Sequence, residues 1–529
     1  MKNFWRKGEP QVLATAAALT VTLLLTLVLV GEVMVNGLGF FWPAGQVKVE
    51  LKDGTAMMGE VSDREKGAIR RLQLKVGNRD LYGQDFRWID RNDIASLTYP
   101  DDAVVLERKE YGNFHGFLKS LAADTLALPA GNDLWHRFTA ARKLIDEKSD
   151  TVKQVEHKMS DVNHRAERLR LKIARLAYQD SSGNAAEIST LTAQRQELQE
   201  AFNRLSEELN AKVNELRGYS ATFVAAGGEE KEIPLVDIVR AYRPNTMSIG
   251  SKMLFYLGKL RELLFDEPRE SNTEGGLFPA IFGTVMMVLL MSVFSLPFGV
   301  VAAVYLREYA REGTMVRLVR IAVNNLAGVP SIVYGVFGLG FFVYGIGAGI
   351  DRFLYPERLP TPTFGTGGIL WSSLTLALLT VPVVIVATEE SLAAIPNGIR
   401  EGSLSLGATK FQTLTRILIP MATPGIMTGM ILSMARAAGE VAPLMLVGVV
   451  KLAPTLPIDG SFPFFHMDRK FMHLGFHIYD VGFQSPNVEA AKPMVFVTTL
   501  LLLAIVIAAS SSAIYLRTIM KKRYTSRTF

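Results

Sequence analysis

Six apolar runs of membrane-spanning length constrain the fold of this chain more than any other feature. A helix needs about 20 mostly apolar residues to cross a bilayer, and each run reaches that length. The runs cover residues 12–35, 278–305, 317–347, 369–393, 419–449 and 493–516. They predict a polytopic α-helical membrane protein with six transmembrane helices. An even number of spans places both termini on the same side of the membrane.

Lysine and arginine are concentrated on one side of this six-span plan. Cytoplasmic loops of membrane proteins carry an excess of these residues, so the pattern assigns both termini to the cytoplasm. These cations are Lys2, Arg6, Lys7, Arg307, Arg311, Arg317, Arg320, Arg400, Lys410, Arg416, Arg517, Lys521, Lys522, Arg523 and Arg527. We therefore predict a multi-pass membrane protein, with residues 1–44 as the cytoplasmic N-terminus and first span.

The block from residue 45 to 272 contains no spanning run and must then lie outside the cytoplasm. It explains why 20% of the residues are charged in a chain this apolar. Apolar residues alternate before Asp53-Gly54 and again before Gly77-Asn78, which is typical of strands that end in tight turns. We predict β-rich segments over residues 45–135 and 218–246.

The apolar period changes inside this block. From Val152 to Leu176, and again from Ile188 to Leu216, apolar residues follow the three-and-four spacing of a coiled coil, with Arg195 and Lys212 at two seam positions of the second series. A polar turn at 181–184 separates the two series. They predict an antiparallel coiled-coil hairpin over residues 136–217, with arms of about 40 Å that project from the membrane.

Two further patterns flank the hairpin. A set of four residues recurs with identical spacing, as Ile89, Asp93, Ile94, Pro100 and as Ile233, Asp237, Ile238, Pro244. It leaves two interpretations open: a small β unit that occurs twice, or one β domain interrupted by the hairpin. Residues 247–265 carry an apolar face among charges and predict an interfacial helix that leads into the next span.

The polar stretch from Glu401 to Pro420 stands between two spans on the positively charged side. Its small and polar residues predict a short helix, a turn at Gly407 and a return into the membrane. A polar helix in this position is suited to docking onto a cytoplasmic partner. The candidate docking residues are Glu401, Gly402, Ser403, Gly407, Lys410 and Phe411.

Two stretches inside the spans carry polar residues. Arg436 and Glu440 lie in the fifth span at a spacing that lets them pair on one helix face, either as a packing element or as an anion contact on a transport path. Asn324, Asn325 and Ser331 flank a Gly–Pro interruption of the third span. This interruption is either a simple kink or a broken helix of the kind that lines substrate paths.

These motifs together resemble a known family. Glu401-Gly402-Ser403, Gly407 and Ile417-Leu418-Ile419-Pro420 keep every spacing of the EAA loop of ABC-transporter permeases. The stretches YLREYA, NNLAGVPSIVYG and ARAAGEVAPL resemble the phosphate-specific permeases, and they are more similar to the PstA half than to the PstC half. The resemblance covers residues from about 275 to 517, and the block 45–272 departs from it.

The resemblance implies a type I ABC importer permease fold over residues 273–529, with a coupling loop at 394–418. It places the protein in the cell inner membrane, with the block 45–272 in the periplasm. It also implies a PstC-like homologous permease, two PstB-like ATPase subunits that bind ATP and Mg, and a PstS-like periplasmic phosphate-binding protein. Inorganic phosphate would pass Arg436 and Glu440. Two rivals stay open: a permease for another oxyanion, and a membrane sensor or scaffold that uses the hairpin to engage a partner.

Other chemistry is not indicated. The spacing Gly402–Gly407 is that of a phosphate-binding loop, but Ala408 and Thr409 follow where Lys and Ser or Thr are needed. We therefore expect no cofactor on this chain itself. The chain has no cysteine, which excludes disulfides and thiolate chemistry. His466, His473 and His477 predict surface or partner contacts rather than a metal site, and the residues indicate neither an enzyme nor nucleic-acid binding.

Overall fold

The computed structural model describes residues 9–65, 71–123, 126, 133–460, 462, 464–485 and 488–525. Within these ranges six helices are long and apolar enough to cross a membrane. Of the cations used to orient the spans, Lys2, Arg6, Lys7 and Arg527 lie outside the described residues, as do the side chains of Lys521 and Arg523.

Helices make up the first span and the C-terminal half. Their bounds are α1 (Glu9–Gly39), α5 (Ile249–Phe265), α6 (Phe278–Val304, continued by a π-helical turn Tyr305–Tyr309), α7 (Thr314–Leu326), α8 (Ser331–Leu354), α9 (Ile369–Ala393), α10 (Asn397–Ser405), α11 (Lys410–Ala438), α12 (Ala442–Val447), α13 (Leu474–Tyr479) and α14 (Val488–Thr525). The predicted run 369–393 is confirmed, because it coincides with α9, whereas the other four runs of the C-terminal half differ from the helices by several residues at one end or at both.

Two of the predicted spans are each broken in the structure. The run 317–347 is divided, because α7 ends at Leu326 and α8 begins only after Pro330. The run 419–449 ends as a helix at Ala438, and the short α12 follows with Pro443 in its first turn. In both cases glycine and proline lie at the break, where proline disfavours helical geometry in the residue before it. Average hydropathy does not detect such breaks.

Small residues set the packing of the helical half. Helix α9 packs between α6 and α11, and a Cβ atom added to Gly299 would lie 2.5 Å from Val384. At Gly429 the same atom would lie 2.7 Å from the Cβ of Ala387. Close approach through small residues is the usual way in which membrane helices associate. The first span joins this bundle at Gly37, which lies against Leu500 and Phe496 of α14.

The strands form two five-stranded antiparallel sheets. The first contains β1 (Gln46–Leu51), β2 (Ala56–Arg64), β3 (Arg71–Lys75), β4 (Phe86–Asp90) and β5 (Ile94–Thr98) in the order β4-β3-β2-β1-β5, and the short helix α2 (Arg79–Tyr82) follows β3. The second contains β6 (Val104–Arg108), β7 (Phe114–Ala122), β8 (Ser220–Val224), β9 (Glu230–Pro234) and β10 (Ile238–Tyr242) in the order β10-β6-β7-β8-β9. A two-stranded ribbon of β11 (Pro268–Arg269) and β12 (Glu274–Gly275) precedes α6.

The two sheets have the same topology. In each, the first four strands follow one another, a 3₁₀ turn comes next, and the fifth strand returns to pair with the first. The same hydrogen bond fixes both returns: Lys52 N donates to Asp93 O and Lys109 N donates to Asp237 O, each at 2.9 Å. Both open interpretations of the repeated residues therefore hold in part. The β unit occurs twice, and the second copy is interrupted by the helical hairpin.

The hairpin consists of α3 (Leu134–Asp180) and α4 (Ala185–Arg217). Ion pairs Lys148–Glu215 at 3.3 Å and Lys172–Glu187 at 2.9 Å join its arms and show that they run antiparallel. Their winding as a coiled coil stays a prediction. The expectation of two arms of about 40 Å is wrong, because the 47 residues of α3 extend for about 70 Å.

The hairpin is held at two places. Its root is part of the core of the second sheet, where Phe138 packs edge-on against Phe223 with ring centres 5.7 Å apart. Farther along, α3 contacts the turn Pro356–Arg358 that follows α8, and Glu167 lies in electrostatic range of Arg358. The middle of α3 thus rests on a loop between two apolar helices, and projection of the hairpin from the membrane stays a prediction.

Polar contacts fix the β units to the helical half. Arg79 pairs with Glu270 at 2.8 Å, and Gln73 donates to Glu489 at the start of α14 at 3.2 Å. Helix α5 lies between the two halves and has an exposed apolar side that includes Ile249, Leu254 and Leu257. This side has the character predicted for an interfacial helix.

Candidate functional site

Arg436 and Glu440 form an ion pair at the break between α11 and α12. The distance from Arg436 Nε to Glu440 Oε1 is 3.6 Å, which is too long for a hydrogen bond and short enough for electrostatic attraction. The side chains are 35% and 18% exposed. The guanidinium is thus only partly neutralised, and its remaining N–H groups are available to an anion.

The pair does not form in the way expected. Arg436 lies in the last turn of α11, but Glu440 lies beyond the end of the helix at Ala438. The amides of Gly439 and Glu440 turn back to the carbonyls of Arg436 and Ala437 at 3.2 Å. The prediction of two residues on one helix face is therefore wrong. The turn after the helix, rather than the helical period, brings Glu440 to Arg436.

The second predicted stretch lies beside this pair. Tyr334 is buried near the start of α8, donates from its hydroxyl to Leu326 O at 2.7 Å and lies in electrostatic range of Arg436. One residue later, a Cβ atom on Gly335 would be 2.7 Å from the Cα of Pro443. The break before α8 and the break after α11 are therefore neighbours. Sequence reasoning did not single out Tyr334, although it lies within the NLAGVPSIVYG stretch.

Asn324 and Asn325 lie at the end of α7, and both are exposed. Their predicted place inside a span is wrong, because α7 is a separate helix with no buried residue and the spanning helix starts at Ser331. Ser331 is half-buried at that helix start. Ser331 thus lies in the same first turn of α8 as Tyr334, which is beside Arg436. The two asparagines lie on a surface.

The stretch that begins at Glu401 presents exposed apolar side chains on its outer side. Helix α10 ends before Gly407, which adopts φ +85° and turns the chain towards α11. The side chains of Leu404, Leu406 and Phe411 are 48%, 90% and 66% exposed. Glu401 and Gly402 are exposed as well. This surface is an apolar knob with polar edges, suited to a matching groove.

The inner side of the same stretch is tied down. The Ser403 and Thr413 hydroxyls lie 2.9 Å apart, and Ser403 is buried. Lys410 Nζ lies 4.7 Å from the centre of the Tyr309 ring. Ser403 is therefore an internal brace rather than a docking contact, and the Lys410 ammonium is held by a cation–π contact.

An ion pair that sequence reasoning missed fixes the base of α10. Arg400 donates from Nε and Nη2 to Glu308 Oε1 at 3.2 and 2.9 Å, and it also donates to the carbonyls of Leu392 and Ile395 at 2.6 Å. Both side chains are mostly buried, at 16% and 11% exposure. Glu308 lies within YLREYA, so the motif pointed to the region without identifying this acid.

The three histidines of the outer loop are not surface residues. His473 and His477 are buried, and His466 Nε2 lies 3.0 Å from Asp459 Oδ1. Burial lowers the pKa of His473 to about 3 and that of His477 to about 4, so both rings are neutral near pH 7. His473 caps α13 by accepting from Gly475 N at 3.1 Å. Within the described ranges, no three metal-ligating side chains come together.

Comparison with known proteins identifies what the helical half is similar to. A family model described as "Binding-protein-dependent transport system inner membrane component" matches residues 295–524. The phosphate transport system permease protein PstA of Mycobacterium leprae is 38% identical over 188 residues, which are 35% of this chain and 56% of that protein. The probable ABC transporter permease YqgI of Bacillus subtilis is 30% identical over 223 residues, 41% of this chain and 70% of that protein.

The chain spans little more than half the length of several relatives, including 52% of PstA 1 of Mycobacterium tuberculosis, at 39% identity over 33% of this chain. These relatives are transporter permeases by name and not enzymes. Among solved structures, an inward-facing MetNI methionine ABC transporter matches 46% of this chain and 95% of its own, with 18% identity and a TM-score of 0.35. The block from residue 45 to 272 lies outside the match to the family model.

Proposed function

Because the chain belongs to the inner-membrane permeases of binding-protein-dependent ABC transport systems, we propose that it is the PstA-type permease subunit of an ATP-driven phosphate importer. Relatives named as phosphate permeases support phosphate as the cargo. The single structural observation that carries the proposal is the partly neutralised Arg436 at a helix break inside the apolar bundle.

The anion path runs past Arg436 in this proposal. A charge among apolar helices is costly unless it is paired or faces water, and Arg436 keeps 35% of its side chain exposed. Its guanidinium attracts the phosphate anion, while Glu440 reduces the net charge. Weakened attraction suits transport, because an ion bound too tightly would not leave. Ser331 and Tyr334 form the neighbouring wall, with Asn324 and Asn325 at its rim.

A homologous PstC-like permease covers the other side of the path. Helices α7 and α8 expose Leu318, Ile321, Val336 and Phe341, so a long apolar surface is left beside the polar breaks. Lipid alone would not be suited to this surface, because Asn324 and Asn325 stand within it. A second permease would bury the apolar residues and enclose the asparagines.

Energy comes from two PstB-like ATPase subunits in the cytoplasm, which bind ATP and Mg. The knob formed by Leu404, Leu406 and Phe411, with Glu401 and Gly402 at its edge, enters a groove on one of them. Closure of the ATPases moves α10, and the Arg400–Glu308 pair passes this movement to α6. A PstS-like protein delivers phosphate from the periplasm, where the block 45–272 lies. Both termini are cytoplasmic.

The test is reconstitution of the purified complex in lipid vesicles. The binding protein is enclosed in the vesicles in one set and added to the outer solution in another. We expect uptake of radiolabelled phosphate that requires ATP, and we expect excess phosphate to compete where sulfate and molybdate do not. Competition by sulfate or molybdate at equal concentration would favour the permease for another oxyanion. If the complex neither transported an oxyanion nor hydrolysed ATP, the result would favour the alternative function as a membrane sensor or scaffold.

A further inference from the structure

A cavity of about 150 Å³ lies where the first β unit meets the helical half. Its walls include Phe40 and Trp42 after α1, Phe255 of α5 and Met494 of α14. Its volume corresponds to roughly five water molecules. This space can hold a small polar group but not a long hydrocarbon chain.

The cavity lies at the level of the membrane boundary. The first spanning helix ends at Gly39 and the last begins at Val488, and the space is lined by residues just after Gly39 and by residues in the first turns of the last helix. Helix α5, which forms another wall, has an exposed apolar side that includes Leu254 and Leu257. Aromatic residues such as Trp42 are typical of this interface. A ligand could thus place a polar group in the cavity and apolar chains between lipid-facing helices.

Part of the charge around the cavity is already paired. Lys259 Nζ lies 2.6 Å from Glu107 Oε2 and 3.1 Å from Glu262 Oε2. Arg240 and Arg269 also pair with Glu262. Three cations thus share two carboxylates, so both carboxylates of this cluster are already engaged and one net positive charge remains.

Three other charged side chains line the same space without such partners. Glu60 of β2 stands opposite Lys75 of β3 in the sheet register, and Glu274 lies on the ribbon before α6. Among the described residues, none of the three forms an ion pair within 4.0 Å or a side-chain hydrogen bond. Burial raises the pKa of both glutamates, and the nearby Lys75 partly offsets this effect. Two partly exposed carboxylates and one ammonium are therefore left for complementary charges.

We infer that this cavity binds the headgroup of a phospholipid that carries a primary amine and a phosphate diester, as ethanolamine lipids do. The ammonium donates to the carboxylates of Glu60 and Glu274, and the phosphate oxygens lie towards Lys75. Three N–H donors on a primary ammonium suit carboxylate acceptors. A quaternary choline headgroup has no N–H donor and leaves both carboxylates without hydrogen bonds.

The inference is tested by the lipid that the protein retains. The purified full chain, within its complex if they copurify, is stripped of lipid and exposed to nanodiscs with equal parts of ethanolamine, choline and glycerol phospholipids. Lipids that remain after re-extraction are counted by mass spectrometry. We expect roughly tenfold more ethanolamine lipid than choline lipid, the ratio that one charge-assisted hydrogen bond provides. If the unaltered protein retained ethanolamine lipid and choline lipid equally, the inference would be overturned.

Variants locate the site. The double change Glu60→Gln with Glu274→Gln removes the preference for ethanolamine lipid, and Lys75→Met lowers its retention. Glu110→Gln, an exposed glutamate in the β6–β7 turn, leaves retention unchanged. An unchanged preference in a double variant that keeps its thermal unfolding midpoint contradicts the inference.

A last arm separates the lipid from its soluble headgroup. Soluble glycerophosphoethanolamine should not displace the retained lipid at equal concentration, because it lacks the acyl chains that lie between the helices. Displacement would contradict a lipid ligand. No arm measures transport, so the outcome is independent of whether phosphate is the cargo.

Discussion

The side chain of Arg436 stays partly exposed among apolar helices because the chain turns immediately after it. Glu440 reaches back from that turn to a distance of 3.6 Å and leaves guanidinium N–H groups unused. A continuous helix would have carried Glu440 farther along the bundle. The electrostatic character of the site thus depends on one helix terminus as much as on the two charged residues.

We predict that Arg436→Gln lowers phosphate uptake by roughly tenfold or more, since about 1.4 kcal/mol of lost attraction corresponds to a factor of ten. Uptake of labelled phosphate at equal protein levels measures the effect. The matched change Arg352→Gln, at an exposed arginine near the end of α8, should leave uptake unchanged. Normal uptake by the Arg436→Gln protein would remove Arg436 from the path.

His115 makes the stability of the β units depend on pH. It is buried with Nδ1 2.6 Å from Gln46 Oε1, and burial, with Lys75 and Arg108 nearby, lowers its pKa from 6.5 to about 3. The unfolded chain binds a proton below pH 6.5 while the folded chain does not. Stability is therefore complete above pH 6.5 and is lost progressively as the pH falls towards 3, by about 1.4 kcal/mol per pH unit at most.

The expected observation is a thermal unfolding midpoint that falls between pH 6.5 and pH 4, with a shallower slope in His115→Gln. His473 and His477 contribute in the same direction, so part of the slope remains. His157→Gln changes an exposed histidine of the hairpin and should keep the full slope. Identical slopes for all three proteins would contradict a neutral buried His115.

At the level of elements, α10 is bound to α6 on its inner side and is exposed to solvent on its outer side. The buried Arg400–Glu308 pair joins α10 to the turn after α6, the Ser403–Thr413 hydroxyl pair joins α10 to α11, and Lys410 of α11 contacts Tyr309 of that turn. On the outer side, Leu406 after α10 and Phe411 in the first turn of α11 are exposed. A force applied to the outer side is therefore transmitted to the end of α6 rather than absorbed by a loose loop.

We predict that Glu308→Gln reduces the phosphate transported per ATP hydrolysed severalfold. Removing one partner of a buried pair leaves the other charge uncompensated, so Arg400 would no longer hold α10 against α6. The ratio of uptake to ATP hydrolysis in vesicles measures this effect. Glu312→Gln, at an exposed glutamate in the next loop, serves as control. If uptake and hydrolysis fell equally, the pair would support folding but not coupling.

Periodic features were predictable from sequence, and breaks and burial were not. The hairpin appeared as a heptad series and the turn at Gly407 as a glycine between polar residues, because both depend on local pattern. The end of α11 at Ala438 interrupts an apolar run without lowering its hydropathy, so it was missed. His473 and His477 lie among the apolar residues Phe471, Met472, Leu474 and Phe476, a local signal of burial that the interpretation of a surface loop did not use.

For the whole molecule, the six spans imply a fixed orientation that the chain itself makes easy to test. It contains no cysteine, so a single introduced cysteine is the only labelling site. We predict that Leu406→Cys reacts with a membrane-impermeant maleimide only in inverted membranes, while Ser181→Cys, in the turn between α3 and α4, reacts in intact spheroplasts. The opposite labelling pattern would mean that the topology is reversed. Labelling of both cysteines from the same side would contradict the placement of Leu406 and Ser181 on opposite sides of the membrane.

The seat of α3 on the turn Pro356–Arg358 makes the long hairpin a lever. Its fulcrum is the buried root near Ile145, the turn acts near Glu167, and the tip lies at Asp180. At 1.5 Å per residue these points are about 33 Å and 52 Å from the fulcrum. We predict that a displacement of the turn is magnified about 1.6-fold at the tip, so the tip of the hairpin would report a rearrangement of α8.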